Sequence, residues 1–260
     1  MTPGRTPDDG LLKDSPFPVR ESGIGMGLRH YERTDSTNAR ARDWANHGAR
    51  HGSIVLADYQ TSGRGRFDRS WSSNPGQNLL MTVILRVNLP RPALLPLATA
   101  MAVLTSLKKV HAPLSLEVKW PNDVLIDGKK CAGILVESPE ENLYLVGIGV
   151  NINQDSFPSV VPRGDRSGPT SLLLESGLRF DRREMYSELL GQMETVMQSM
   201  LEPDFIQAYS RLLRGVGEKI SLSTGHQGVF VGLSEDGGLI LESDAGRDVF
   251  FAGDVSLREQ

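Results

Sequence analysis

Apolar residues fall along the chain in two kinds of pattern, which predict different elements. Ser53–Tyr59 and Asn78–Asn88 are short apolar runs bounded by turn signals, so each is predicted to be a buried strand. Ala93–Val110 is longer and predicts an apolar helix that is buried on one broad face. Asp181 followed by Glu184 makes a capping box, which predicts a second long helix ending near residue 201. Most of the chain is therefore predicted to mix strands with helices.

The stretch 116–137 predicts a strand followed by a hairpin. Apolar positions alternate up to Trp120, and Pro121 ends that strand because proline cannot donate a hydrogen bond to a neighbouring strand. Asp127 and Gly128 form a turn signal between the apolar runs 124–126 and 131–136. Lys130 is therefore predicted to lie just past the hairpin turn.

The two ends of the chain differ from its centre in composition and in the pattern of apolar residues. Residues 1–27 are rich in proline, glycine and aspartate and show no periodicity, which predicts a flexible lead-in. From Gly215 onward, short β runs near 219–223, 228–233, 238–243 and 248–252 alternate with glycine, aspartate and serine. They predict a small β-barrel, so the domains are expected at 1–27, 28–214 and 215–260.

Composition narrows the classes of function. The 260 residues carry a net charge of −4, with an isoelectric point near 5.8, which argues against a general nucleic-acid binder. A single cysteine, Cys131, excludes an internal disulfide, and the five histidines show no spacing typical of a zinc site. No apolar stretch is long enough for a membrane span and no signal peptide is evident, so a cytoplasmic protein is predicted.

The loop Gln60–Trp71, with the sequence QTSGRGRFDRSW, is the strongest candidate for a ligand site. Its glycines, Gly63 and Gly65, allow the backbone to approach a ligand closely. Its arginines provide planar, always-charged groups that suit carboxylates and phosphates; they are Arg64, Arg66 and Arg69. The loop is therefore predicted to bind an anion.

Other polar residues extend this candidate site. Ser36 and Thr37 stand at a predicted helix start, where hydroxyl and backbone N–H groups can hold a small polar ligand. Lys119 and Lys130 could neutralise a phosphate or carboxylate, and Asp123 could hold Mg²⁺ or orient a lysine. Asn151, at the end of a glycine-containing strand, could present its amide to a ligand or be structural. The standard phosphate loop and the dinucleotide fingerprint are both absent. This equipment suits the stabilisation of charge on a phosphoryl or acyl phosphate group.

Five motifs in order give the chain a specific resemblance. DSTN at 35–38, QTSGRGRxxRSW at 60–71, KWPNDV at 119–124, KKCAGILVE at 129–137 and GIGVNIN at 147–153 resemble the biotin protein ligase family. The resemblance covers about residues 28–258. It implies an α/β (α+β) fold, in which a catalytic domain with a mixed sheet precedes a small SH3-like β-barrel. It also implies that biotin and ATP form biotinyl-5′-AMP and pyrophosphate, and that biotin then passes to one lysine of a biotin carboxyl carrier protein.

The resemblance also implies roles for individual residues. Lys130, Arg66 and Asp123 would be catalytic, with Asp123 as the candidate ligand of a Mg²⁺ ion that accompanies ATP. Biotin would be bound by these residues: Ser36, Thr37, Asn38, Gln60, Gly63, Arg64, Gly65, Arg66, Lys130 and Gly133. ATP or the adenylate would be bound by these residues: Arg66, Arg69, Trp71, Lys119, Asn122, Lys130 and Asn151.

The sequence departs from the family at one position of the loop and leaves some alternatives open. Asp68 stands where members usually have glycine, which places a negative charge among the arginines. Only the unpatterned lead-in precedes the catalytic domain, so operator DNA binding is not expected. Related proteins can pair through sheet edges, which keeps a homodimer open. The alternative functions are a lipoate–protein ligase, a nucleic-acid-binding module that uses the Arg/Trp loop, and a non-catalytic interaction protein that uses the barrel.

Overall fold

A seven-stranded mixed sheet forms the centre of the larger part of the molecule. The computed structural model describes residues 10–67, 69–111, 114–158 and 168–257. The strands of the sheet are β1 (Leu28–Tyr31), β2 (Ser53–Ala57), β5 (Leu79–Arg86), β6 (Leu116–Lys119), β7 (Asp123–Ile126), β8 (Lys129–Glu140) and β9 (Leu143–Val150). Their spatial order is β1-β2-β5-β9-β8-β7-β6, and every pairing is antiparallel except that of β1 with β2. The predicted strands and the mixed α/β class are confirmed.

Helices cover both faces of this sheet. They are α1 (Thr37–Asn46), α2 (Leu94–Val110), α3 (Leu172–Ser176), α4 (Arg182–Ser199) and α5 (Phe205–Ser210). Neighbouring residues of β2 alternate between two cores, because side chains along a strand point to opposite faces: Ile54 joins the core that contains α2 and α4, whereas Val55 joins the core under α1. The α1 face is the one that carries the cavity described below.

A five-stranded antiparallel sheet forms the C-terminal part, as the β runs after Gly215 predict. Its strands are β10 (Lys219–Leu222), β11 (Gln227–Leu233), β12 (Leu239–Ser243), β13 (Gly246–Phe250) and β14 (Val255–Leu257), in the order β13-β12-β11-β10-β14. This sheet contacts the larger part directly, since the Trp120 indole Nε1 donates to the Gly237 carbonyl at 3.0 Å. The last strand, β14, is three residues long and was too short to be predicted from its pattern.

The described part of the lead-in packs on the larger sheet. Phe17 and Ile24 are 3% and 4% exposed and belong to the main core. Phe17 packs edge-on against the rings of His30 and Tyr186. Residues 10–27 thus differ from the expected flexible segment, because two isolated apolar side chains anchor them without any periodic pattern.

Gly191 lies inside α4 in a position with no structural need for glycine. A Cβ placed there would have no heavy atom within 4 Å. Glycine in a helix interior costs more backbone entropy on folding than alanine. We expect Gly191→Ala to raise the free energy of unfolding by about 0.5–1 kcal/mol in urea denaturation. An unchanged or lowered midpoint would contradict this account of α4.

Among the described residues, no helix is long and apolar enough to cross a membrane.

Candidate active site

A cavity opens on the α1 face of the large sheet, between α1, the Gly/Arg loop and the C-terminal sheet. The cavity gathers the following residues that the sequence predicted for the site: Ser36, Thr37, Asn38, Gln60, Arg64, Gly65, Arg66, Arg69, Trp71, Asn122, Asp123, Lys130 and Gly133. These residues come from segments that are distant in the sequence. The structure therefore brings most of the predicted candidates to one place.

Glycines on β9 create the space for this cavity. Gly147 and Gly149 face the same side of the sheet as Leu145, which is buried under α1. A Cβ on Gly147 would lie 2.3 Å from the Asn38 Oδ1 atom, and one on Gly149 would lie 2.6 Å from the Trp71 Cε2 atom. The two missing side chains therefore give room to Asn38 and Trp71, as glycine in a strand often does for a group that approaches closely.

Polar groups at the start of α1 form one end of the cavity. The Thr37 backbone N–H donates to the Gln60 Oε1 atom at 2.7 Å, and the Thr37 hydroxyl lies 3.1 Å from the same oxygen. Ser36 is the N-cap residue, but its side chain makes no capping hydrogen bond. With its amide oxygen held by Thr37, Gln60 keeps its amide nitrogen as a donor for a ligand. This end of the cavity can recognise a small group that carries both donors and acceptors.

The Gly/Arg loop forms a short hairpin over the cavity. Its strands are β3 (Gly63–Arg64) and β4 (Ser70–Trp71), which pair Gly63 with Trp71. The Gly65 backbone N–H donates to the Arg69 carbonyl at 2.7 Å. Asp68, the departure from the family pattern, lies outside the described residues.

The Trp71 indole packs against strands β8 and β9 of the large sheet. Gly133 and Gly149 are directly opposite each other on β8 and β9, and a Cβ on either would lie under 3.0 Å from the Trp71 ring. The indole Nε1 atom is buried without a hydrogen-bond partner within the described chain. A buried donor without a partner costs free energy, and a ligand that supplied an acceptor for this N–H would remove that cost.

Lys130 and Asp123 form an ion pair inside the cavity. The Lys130 Nζ atom is 2.6 Å from the Asp123 Oδ1 atom and 5.6 Å from the centre of the Trp71 ring. The two side chains are 35% and 21% exposed, so a ligand can still reach the ammonium. A shift in register between Val124 and Leu125 brings Lys130 opposite Leu125 in the pairing of β7 with β8. The lysine is thus placed by strand pairing, which is more rigid than a loop.

The connection between β13 and β14 contributes a carboxylate, Asp254, that sequence reasoning missed. Asp254 lines the cavity, pairs with Arg69, and lies 3.8 Å from the Arg66 Nη1 atom. Burial lowers the pKa of Arg66, while Asp254 and Asp123 oppose that shift by favouring its charged form. No local motif marks Asp254, because its partners are far away in the sequence. Sequence reasoning also did not include Ser70, Ile134, Leu135, Ile148 or the two β9 glycines among the site residues, although these line the cavity.

Three predicted site residues do not line the cavity. Gly63 lies beneath the hairpin, where a Cβ would be 2.6 Å from the Trp71 carbonyl. Lys119 stands opposite Asp123 in the pairing of β6 with β7. Asn151 is buried, and its amide nitrogen donates to the Thr170 carbonyl at 2.9 Å. Their roles towards ATP or biotin stay predictions.

Two family models match the chain, and they define its class. Residues 30–153 match the Biotin/lipoate A/B protein ligase family, and residues 220–258 match the Biotin protein ligase C terminal domain. The fold and the cavity thus belong to the class of biotin and lipoate ligases.

Individual relatives narrow this class. The chain is 31% identical over 262 residues to the bifunctional ligase/repressor BirA of Bacillus subtilis, covering 95% of this chain and 80% of that protein. It is 35% identical over 240 residues to the biotin--[acetyl-CoA-carboxylase] ligase of Paracoccus denitrificans, covering 86% of this chain and 97% of that protein. The structure of the Aquifex aeolicus biotin protein ligase in complex with biotin and ATP superposes with a TM-score of 0.78 at 29% identity, covering 90% of this chain and 99% of that one. The chain belongs to the biotin protein ligase family.

Proposed function

We propose that this protein activates biotin with ATP to give biotinyl-5′-AMP and pyrophosphate, and then transfers biotin to a lysine of a biotin carboxyl carrier protein. The observation that carries the proposal is the composition of the cavity. One end has the hydroxyl and amide groups of Ser36, Thr37 and Gln60, and the other has Lys130 with the loop arginines. The first end suits the donors and acceptors of a ureido ring, and the second suits a carboxylate next to phosphates.

The first half-reaction joins two anions. A biotin carboxylate oxygen attacks the α-phosphorus of ATP, and the bond from this phosphorus to the bridging oxygen breaks as pyrophosphate leaves. Lys130 and Arg66 would offset the repulsion between the reactants and stabilise the charge that develops on the phosphoryl oxygens. In the structure, Asp123 pairs with Lys130 and Asp254 lies 3.8 Å from the Arg66 guanidinium.

The second half-reaction uses the adenylate as an activated acid. The neutral amine of the acceptor lysine attacks the acyl carbon, AMP leaves, and the new amide loses one proton. Closure of the Gly/Arg loop over the adenylate would keep water from the mixed anhydride. Asp123 lines the cavity and is our candidate for guiding the incoming lysine.

Mg²⁺ is expected to arrive with ATP rather than in a site made by the protein alone. Among the described residues, no group of three histidine, cysteine, aspartate or glutamate side chains could hold a metal. Mg²⁺ commonly uses one or two carboxylates together with substrate phosphates. Asp123 fits this use as a single carboxylate, and the ion would supply further positive charge for the phosphates.

Several finer points stay predictions. A possible homodimer and a cytoplasmic location both rest on the sequence. The buried single thiol of Cys131 is consistent with a reducing compartment.

Pyrophosphate release from Mg·ATP tests the proposed function. We expect release that depends on biotin, with none above background when lipoate replaces biotin. Addition of a biotin carboxyl carrier domain should then yield a covalently biotinylated acceptor, detected by its mass. Pyrophosphate release with lipoate but not with biotin would assign the protein to the lipoate ligases. If no pyrophosphate is released with either acid, the proposed reaction is rejected.

A further inference from the structure

Glu137 on β8 lies behind the cavity and does not line it, yet it holds a residue that does. Its Oε2 atom accepts a hydrogen bond from the Asn38 amide nitrogen at 2.8 Å. Its Oε1 atom accepts one from the Arg42 guanidinium at 3.0 Å. The Glu137 side chain is 24% exposed, whereas that of Arg42 is 46% exposed. Glu137 thus connects the surface to Asn38, which is 4% exposed.

The carboxylate determines which way the Asn38 amide points. An ionised carboxylate can only accept hydrogen bonds, so the amide nitrogen of Asn38 must face Glu137. The amide oxygen then faces the Thr82 hydroxyl, which donates to it at 2.6 Å. A bare backbone at Gly147 makes room for this oxygen, because a Cβ there would lie 2.3 Å from it.

The same arrangement continues to the ligand end of the cavity. The Thr82 hydroxyl oxygen is 2.9 Å from that of Thr37, and the Thr37 hydroxyl in turn lies 3.1 Å from the Gln60 amide oxygen. Thr82 is fully buried on β5, an interior strand of the sheet, so its hydroxyl has few alternative partners. The orientation fixed at Glu137 is therefore linked through Asn38, Thr82 and Thr37 to the donor pattern at Gln60.

We propose that Glu137 and Thr82 are positioning residues that fix the hydrogen-bond pattern with which the cavity receives its acid substrate. The proposal rests on the proposed function, since it concerns the binding of biotin at the same site. A fixed pattern matters for recognition, because a polar site rejects ligands that leave its buried donors or acceptors unpaired. Without Glu137, the Asn38 amide nitrogen keeps the longer contact of 3.5 Å to the Leu135 carbonyl but loses its stronger partner, so the amide can turn over and present its nitrogen to Thr82.

Kinetics of biotin-dependent pyrophosphate release with variants at both positions tests this proposal. Glu137→Met keeps the length of the side chain but removes both acceptor oxygens. We expect it to raise the KM for biotin about tenfold or more, as when a buried polar group loses its partner. The KM for ATP and kcat should stay within about threefold, because the phosphate end of the cavity is unchanged. Thr82→Val should act in the same direction.

Conservative variants separate positioning from a merely structural role. Glu137→Gln retains one acceptor for Asn38 while the half-exposed Arg42 turns to solvent, so it should return the biotin KM to within about threefold of the unmodified enzyme. Thr82→Ser keeps the hydroxyl and should do the same. Glu140→Met removes an exposed carboxylate from the same strand and should leave all constants unchanged.

The outcomes distinguish this proposal from the proposed function. If the unmodified protein releases pyrophosphate with biotin but Glu137→Met keeps its biotin KM within threefold, the positioning role is rejected. A parallel fall in kcat with no change in either KM would show a loss of folded enzyme, and would also reject it. If the unmodified protein shows no biotin-dependent release, titration calorimetry of biotin alone gives the decisive constant. There, an equal affinity for the unmodified protein and Glu137→Met overturns the proposal, and a tenfold loss supports it.

Discussion

Lys130→Ala is expected to lower kcat/KM for biotin-dependent pyrophosphate release by about 100-fold or more, in line with the loss of one charge stabiliser at a reacting centre. Lys130 is the lysine that lines the cavity, and its ammonium lies 2.6 Å from Asp123. The substitution removes a positive charge and also exposes the Asp123 carboxylate to the incoming phosphates. Repulsion between these like charges adds to the loss. Initial rates at varied biotin and ATP concentrations measure the effect.

Lys129 offers a control of the same residue type on the same strand. Its Nζ atom pairs with Glu175 at 2.8 Å, its side chain is 48% exposed, and it does not line the cavity. Because this pair lies outside the cavity, Lys129→Ala should leave kcat/KM within about threefold. Equal effects of the two substitutions would mean that the lost activity reflects general charge rather than the position of Lys130.

Much of the fold was accessible from local pattern. Apolar runs with flanking turns located β2 and β5, and the proline of the KWPND motif located the end of β6. These features are properties of neighbouring residues, so the sequence displays them directly. The Gly/Arg loop was likewise recognisable, because closely spaced glycines and arginines indicate anion binding without any knowledge of the tertiary structure.

The remaining features depend on contacts between distant residues. Asp254 is 185 positions from Arg69, and the hydrogen bond from Asn38 to Glu137 spans 99 positions. Neither pair has a local signature, because register and packing place the partners together only in the folded chain. The packing of Phe17 in the lead-in was also not predicted, because one aromatic side chain between two prolines gives no periodic signal. Prediction from one sequence therefore identified the residues that line the cavity more readily than the residues that hold them in place.

Gly149→Ala is expected to lower kcat/KM for the adenylation reaction by roughly tenfold to 100-fold, because small displacements at a site that orients reactants have effects of this size. The added Cβ would lie 2.6 Å and 2.7 Å from two atoms of the Trp71 indole. Gly149 is on the central strand β9, paired on both sides, so its backbone cannot move away. The ring must move instead, towards the space that the ligand uses.

The position of the ring, rather than the loss of a glycine, is what this experiment examines. Gly191→Ala makes a suitable control, since its Cβ would meet no heavy atom within 4 Å and the residue does not line the cavity. We expect that variant to keep kcat/KM within about threefold. For Gly149→Ala, a change in tryptophan emission that is absent in a Trp71→Phe background would show that the indole has moved. Normal activity together with unchanged emission would mean that Trp71 does not pack against Gly133 and Gly149 in the active enzyme. Far-ultraviolet circular dichroism shows whether the variant is folded. Overpacking of this kind lowers the free energy of unfolding by about 1–3 kcal/mol, which is less than the total stability of most folded domains.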